Sequence, residues 1–323
     1  MKAVTYSEYG SPDVLKLEEV EKPVPRDDEV LIKIHAATVT AGDCELRRFD
    51  IDPLFWIPAR LFMGIRKPRK RILGQELAGE IEEAGKEVTK FRKGDRVFGP
   101  TEFTLGAHAE YIALPESSMM AQMHANMTYE EAATVPTGGL NALHFLRKAN
   151  IQPGEKVLIN GAGGSIGTYA IQLAKLDGAE VTAVDRQEKL DMLRSVGADH
   201  VIDYTKENST KDGNTYDVIF DVVGTSPFSR SVRSLRPNGR YLLANLSLAD
   251  MIRGFWISKT TSKNVISDLA DYAMEELHHL RDLIEAGKIR AVIDRRYPLE
   301  QIPDAHRYVE TGRKTGNVVI TIK

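Results

Sequence analysis

The chain has 323 residues, with 43 Lys and Arg against 46 Asp and Glu and a net charge of −3 when histidine is neutral. That length is enough for two domains and a large core, and that charge gives no electrostatic case for a nucleic-acid partner. Cys44 is the only cysteine, so a disulfide within the chain and a cysteine-built zinc site are both excluded. The N-terminus has no signal-peptide core, and no apolar run is long enough to span a bilayer. A cytoplasmic protein with no membrane partner is expected.

Residues 4–6 and 15–20 alternate like strands around a turn at Gly10-Ser11-Pro12. Residues 30–35 form a longer strand, and a short polar helix follows at 44–48. Residues 49–71 read as irregular and aromatic, with Phe49, Phe55, Trp56 and Phe62 broken by Pro53 and Pro58. This stretch is either a loop packed on its own side chains or a lip over an apolar pocket. It ends in the basic run RKPRKR at 66–71, read as a solvated loop rather than a nucleic-acid arm. Glycine-punctuated strands at 73–81, 94–99 and 109–113 point to a small barrel-like β domain. From Thr128, a predicted N-cap with Glu130 and Glu131 in the first turn, the pattern turns helical.

Residues 155–185 dominate the rest. The apolar run at 157–159 suits a strand covered on both faces. A glycine cluster at 161–167 follows. Tyr169, Ile171, Leu173, Ala174 and Leu176 then recur at helical spacing up to Gly178. A second buried strand, 181–184, closes on Asp185. Strand, tight turn, helix and strand with a terminal acid match the dinucleotide fingerprint, taken here as Ala162, Gly164 and Gly167. Gly164 lets backbone approach a pyrophosphate, and Gly167 lets the helix lie close on the strand. The first helical turn, with Ser165 and Ile166, offers N–H groups to the phosphates. Asp185 lies about 20 residues on, where a carboxylate accepts from ribose hydroxyls. The alternative is another doubly wound domain that uses the same turn for a different adenosyl ligand.

Strands and helices keep alternating after Asp185, which implies a parallel sheet with its ligand at the strands' carboxyl ends. The strands are 201–204, 217–223 and 239–245, the last taken as an open sheet edge. Helices are expected at 188–196, 268–286 and 305–309. The final strand, 318–322, is expected to return to the first domain. Expected boundaries are 1–126, 127–287 and a return at 288–323.

The chain resembles the medium-chain dehydrogenase/reductase superfamily, and within it the zinc-independent quinone oxidoreductase branch. The residues that carry the resemblance are Gly74-Gln75-Glu76-Leu77-Ala78-Gly79, Gly94-Asp95-Arg96-Val97, Ala132-Ala133-Thr134-Val135-Pro136 and Gly139-Leu140-Asn141-Ala142-Leu143. The glycine cluster, Gly197-Ala198-Asp199-His200-Val201-Ile202 and Gly316-Asn317-Val318-Val319 complete it. The resemblance implies an α/β fold, a Rossmann doubly wound parallel sheet inserted in a GroES-like β domain. Zinc-dependent relatives place a cysteine at Thr40 and a histidine at Gln75, and neither residue here is a competent ligand for catalytic zinc. No metal is therefore expected.

The expected activity is hydride transfer from NAD(P)H to a quinone, enone or similar apolar carbonyl. Thr40, Gln75 and Asn141 are candidate donors to the substrate oxygen. Asp43 is either part of a proton relay or a helix cap. The resemblance adds Val223 and Asn245 to the cofactor site. Asp185 favours NADH, and on that reading Asp185→Ser raises NADPH affinity; the resemblance puts Lys189 and Tyr204 where NADPH-dependent relatives contact the 2′-phosphate, with Arg186 nearby, and the balance leans to NADH. A homodimer is implied by analogy. The alternatives are a nucleotide-binding protein of low turnover with a structural or partner-binding role, and a zinc-free secondary alcohol dehydrogenase.

Overall fold

The computed structural model describes residues 1–210, 213–224, 226–245 and 247–323. Strands β1 (Lys2–Thr5) and β2 (Lys16–Glu19) pair antiparallel, and β3 (Glu29–Thr38) follows. Helix α1 (Ala41–Arg48) opens on a capping box, in which Thr40 and Asp43 each satisfy a backbone N–H of the other. Residues 49–71 are not irregular throughout, because α2 (Pro53–Met63) occupies their centre. Pro53 stands in the first turn, where a missing N–H costs nothing. Pro58 gives up one helical bond inside it. Then come β4 (Glu76–Ala84), β5 (Arg96–Pro100), β6 (Tyr111–Pro115), β7 (Ala121–Gln122) and α3 (Tyr129–Ala133). Thr128 caps α3 through a second box, with Glu131.

A π-turn at Pro136–Leu140 leads into α4 (Asn141–Ala149). The alternating series is β8 (Lys156–Asn160), α5 (Ser165–Leu176), β9 (Glu180–Asp185), α6 (Leu190–Ser195) and β10 (His200–Asp203). It continues through β11 (Tyr216–Asp221), α7 (Phe228–Arg233), β12 (Leu235–Leu243), α8 (Leu248–Thr260) and β13 (Asn264–Ile266). The chain ends with α9 (Met274–Glu285), β14 (Ile293–Pro298), α10 (Ile302–Glu310) and β15 (Asn317–Thr321).

Two compact units emerge. The first comprises Met1–Thr137, Met274–Glu285 and Ala291–Lys323. Its seven-stranded sheet runs β14-β15-β3-β4-β5-β7, with β6 also paired to β3. The last strand, β15, pairs antiparallel with β3, setting Val319 opposite Thr38. Ile32, Ile34, Leu77, Ile81, Val318 and Ile320 build its core.

The second unit comprises Gly138–Ala273 and Ala286–Arg290. Its six-stranded sheet, in the order β10-β9-β8-β11-β12-β13, is parallel at every pairing. Strand order reverses between β8 and β11, the crevice in which doubly wound sheets take their ligands. The stretch 239–243 lies inside this sheet, because β13 covers β12. That three-residue strand follows α8 with almost no periodic signal of its own. No helix among the described residues is long and apolar enough to cross a membrane.

Candidate functional site

In the second unit, the residues expected to bind a nucleotide fall at the carboxyl ends of the parallel strands. β8 runs into Gly161, whose φ of +75° suits glycine. Gly164 then caps α5 through its backbone alone, with no side-chain hydrogen bond to the first turn. A Cβ on Gly164 would meet only Gly161 O, at 3.7 Å, so the turn is open there. A Cβ on Gly167 would lie 2.5 Å from Ala162 Cα, so only glycine lets the helix pack this closely. The helix start, with Ser165 and Ile166 half-buried, combines free space with a positive dipole end, the physical requirement for an anion.

At the switch point, Asn160 donates through Nδ2 to Asp221 Oδ1 (2.9 Å) and to Ser226 Oγ (2.7 Å). Asp221, fully buried, also accepts from Gly224 N (2.9 Å) and the Tyr241 hydroxyl (3.2 Å). These bonds lock the ends of β8, β11 and β12 together. Val223 and Asn245 project beyond them, both exposed, and Asn245 Nδ2 donates to Val223 O (3.3 Å). Asp221 carries this end of the sheet as the last residue of β11, yet in the sequence it falls unmarked inside the strand expected at 217–223.

Asp185 does not face solvent. Its Oδ2 accepts from Gly163 N (2.8 Å), and its Oδ1 accepts from Arg186 N (2.8 Å) and lies 3.2 Å from Lys189 Nζ. Both side chains of the Asp185–Lys189 pair are more than nine-tenths buried. The groups left at the surface are Arg186, half-buried, and Tyr204, exposed, at the ends of β9 and β10. Arg186 Nε donates to the Tyr204 hydroxyl (2.8 Å).

In the first unit, Thr40, Asp43 and Gln75 form one hydrogen-bonded group. Thr40 Oγ1 donates to Asp43 Oδ2 (2.7 Å) and accepts from Asp43 N (3.0 Å) and Gln75 Nε2 (3.3 Å). Asp43, with no exposed surface, also accepts from Thr40 N (2.9 Å) and Gly74 N (3.0 Å). Every polar capacity of the Thr40 hydroxyl is engaged, and Asp43 holds the cap. Gln75 is half-buried, and its carbonyl oxygen and second amide hydrogen are not used in this group. Asn141 is the first residue of α4, in the other unit, and is half-buried.

Beside Gln75 lies a residue that sequence reasoning passed over. Glu76, fully buried, accepts from the Thr38 hydroxyl and from Thr137 N (2.6 Å). Burial pushes its carboxyl from the ordinary 4.5 up to about 7, against the pull of those two hydrogen bonds and with help from the charge of Asp43. The one available signal was an acid abutting the apolar run Leu77-Ala78-Gly79.

The histidines divide. His108 Nε2 lies 2.9 Å from Thr38 O, and His144 Nδ1 lies 3.0 Å from Asp271 O. His306, buried, has Nδ1 3.3 Å from Cys44 Sγ, and burial pushes the Cys44 thiol up to about 12. His124, Asp282 and Glu285 bring three ligand-type atoms within 4.8 Å of one another. Arg281 lies 2.8 Å from that Asp282 carboxylate, so it already has a cation.

Residues 26–140 match the family described as alcohol dehydrogenase GroES-like domain, and residues 196–320 the family described as zinc-binding dehydrogenase. The chain is 34% identical over 334 residues to the 2-methylene-furan-3-one reductase of Solanum lycopersicum, spanning 99% of this chain and 79% of that one. It is 33% identical to the chloroplastic NADPH-dependent alkenal/one oxidoreductase of Arabidopsis thaliana, again over 99% and 79%. The solved structure of the quinone oxidoreductase from Coxiella burnetii matches with a TM-score of 0.88, at 29% identity, over 100% of this chain and 99% of that one. By its parallel sheet, its GroES-like domain and these relatives, the chain belongs to the medium-chain dehydrogenase/reductase superfamily, in the quinone oxidoreductase-like branch.

Proposed function

We propose that this chain is an NAD(P)H-dependent oxidoreductase that reduces enones, quinones or similar apolar carbonyls without a catalytic zinc ion. The observation that carries this reading is the start of α5, a helix with no side-chain cap behind an open glycine turn at the switch point of a parallel sheet. That chemistry receives a pyrophosphate. Ala162, Gly164, Ser165, Ile166 and Gly167 form the cradle, and Val223 and Asn245 flank it on the neighbouring strand ends. When bound, a reduced nicotinamide supplies a hydride. Relatives named for furanones, alkenals and quinones support the substrate class.

Thr40 and Gln75 stand where zinc-dependent relatives carry thiolate and imidazole, and a hydroxyl and an amide are poor ligands for that ion. Carbonyl polarisation then rests on hydrogen bonds. Gln75 has amide capacity to spare, while Thr40 and Asp43 hold its side chain in place. In assays that follow NAD(P)H oxidation with a panel of quinones and enones, Gln75→Leu is expected to lower kcat roughly a hundredfold and leave the KM for nucleotide unchanged. An unaltered kcat would remove Gln75 from the reaction.

Between the two nucleotides, the geometry favours NADPH. A carboxylate at the end of β9 repels a 2′-phosphate only if it faces the ribose. Here Asp185 is turned inward and neutralised by Lys189, while Arg186 and Tyr204 offer a cation and a hydroxyl. Arg186→Ala is expected to raise the KM for NADPH roughly tenfold to a hundredfold, the worth of a charged hydrogen bond, with little effect on NADH. Equal effects on both nucleotides would reject the assignment. A homodimer that extends the parallel sheet past β13 completes this reading.

A further inference from the structure

Residues 53–71 carry six cations, Arg60, Arg66, Lys67, Arg69, Lys70 and Arg71, and no acid, in a chain whose net charge is −3. The same segment presents an apolar face to solvent. Ile57 and Leu61, one helical turn apart on α2, are 67% and 59% exposed. Trp56, Phe62, Ile65 and Phe103 extend the face, and the Phe62 and Phe103 rings meet edge-on at 5.6 Å. Scattered exposed apolar residues are ordinary, but five within residues 56–65, together with the Phe103 ring that meets Phe62, are not.

The helix is held firmly from behind. Met63 is buried, and the Arg60 guanidinium lies 3.6 Å from the centre of the Phe49 ring and donates to Ile65 O (3.0 Å). The Tyr9 hydroxyl donates to Gly64 O (2.9 Å). The basic run is folded back onto the end of this helix: Arg69 N donates to Met63 O (2.7 Å), and Arg69 Nη1 donates to Leu61 O (2.9 Å). The cations therefore stand beside the apolar face rather than trailing away from it. Arg71 pairs with Glu18 at 3.2 Å, whereas Arg66, Lys67 and Lys70 have no ion-pair partner among the described residues.

We propose that α2 and the basic run that follows it form a docking surface for an anionic phospholipid bilayer. Exposed aliphatic residues on one face of a helix, with tryptophan and phenylalanine to either side and unpaired lysine and arginine in the segment that follows, suit an element that lies in the headgroup region without crossing it. An acidic protein partner would require the cations and leave the apolar face unused. A second copy of this chain would bring like charges together. The surface does not depend on the redox reading, and it extends the view of the basic run as a merely solvated loop.

The test is co-sedimentation of the full chain with vesicles of phosphatidylcholine alone and with vesicles containing phosphatidylserine. Binding is expected to the phosphatidylserine vesicles, to weaken with salt, and to be slight on phosphatidylcholine. The double variant Ile57→Ser/Leu61→Ser and the double variant Arg66→Glu/Lys67→Glu are each expected to lower partitioning at least tenfold, since each charge near the surface is worth about fivefold and each apolar side chain taken out of water at least as much. All four positions are exposed, and unchanged thermal melting checks that both variants fold. No binding to phosphatidylserine vesicles overturns the proposal, as does binding that survives either variant. Retention on polyglutamate that only the charge variant abolishes, without vesicle binding, would make this an acidic-protein site. A dimer dissociated by Ile57→Ser/Leu61→Ser, without vesicle binding, would make it a self-association face.

Discussion

Asp185→Ala is expected to destabilise the second unit by about 3–5 kcal/mol, the cost of removing one partner from a buried ion pair. The carboxylate does three things at once. It accepts the Gly163 N–H at 2.8 Å, accepts the Arg186 N–H at 2.8 Å, and faces the Lys189 ammonium at 3.2 Å. Alanine leaves a buried ammonium without this counter-charge and frees the middle of the glycine turn. Nucleotide binding should weaken together with stability, because Gly163 and Gly164 share that turn. Denaturant unfolding checks the first effect and nucleotide titration the second. Asp185→Ala/Lys189→Met should recover much of the stability, since it removes both charges. A single variant as stable as the parent would show that the pair carries no weight. Asp185→Ser, which on the sequence pattern simply improves NADPH affinity, is expected here to cost stability first.

The second large effect is a pH dependence written into Glu76. Its folded-state carboxyl titrates at about 7, against an ordinary 4.5. The folded protein therefore binds this proton more tightly than the unfolded chain. The sign is the reverse of the common carboxylate case: stability falls as pH rises from about 4.5 to 7. The loss over that window is about 3 kcal/mol. Glu76→Gln has nothing to ionise. Its amide oxygen can accept from Thr137 N, and its amide nitrogen can donate to a turned Thr38 hydroxyl. Thermal or urea unfolding of both proteins from pH 5 to pH 8 should show the variant gaining on the parent as pH rises. A constant difference across that range would show that Glu76 does not titrate there. The consequence reaches the site, because Glu76 joins the start of β4, beside Gln75, to Thr137 in the π-turn segment.

Much of the architecture was legible because it is written in contacts between near neighbours. Thr40 with Asp43 and Thr128 with Glu131 are three apart, so each capping box is visible as a pattern. Alternating apolar strands and helices after residue 155 imply a parallel sheet, and the sheet has the order such alternation produces. The helix at α2 was hidden because two prolines outweigh local propensity on paper. In the fold, Pro53 falls in the first turn, and packing against Phe49 and Tyr9 offsets the bond that Pro58 lacks.

By itself, then, the sequence determined the glycine turn, the alternating strands and helices and the set of residues gathered at the strands' carboxyl ends, all of which depend on spacing within a few residues or on repeated periodicity. The family and the GroES-like domain were legible through a resemblance carried by motifs spread along the whole chain. Only the tertiary structure decided where the charges point. Asp185 turns inward because Gly163, 22 residues before it, and Lys189, four after it, converge on its carboxylate. Glu76 is stripped of water by partners 38 and 61 residues away, and β12 becomes an interior strand because three residues after α8 cover it. Side-chain orientation and burial are set by which distant segments arrive, and residue spacing carries no record of that.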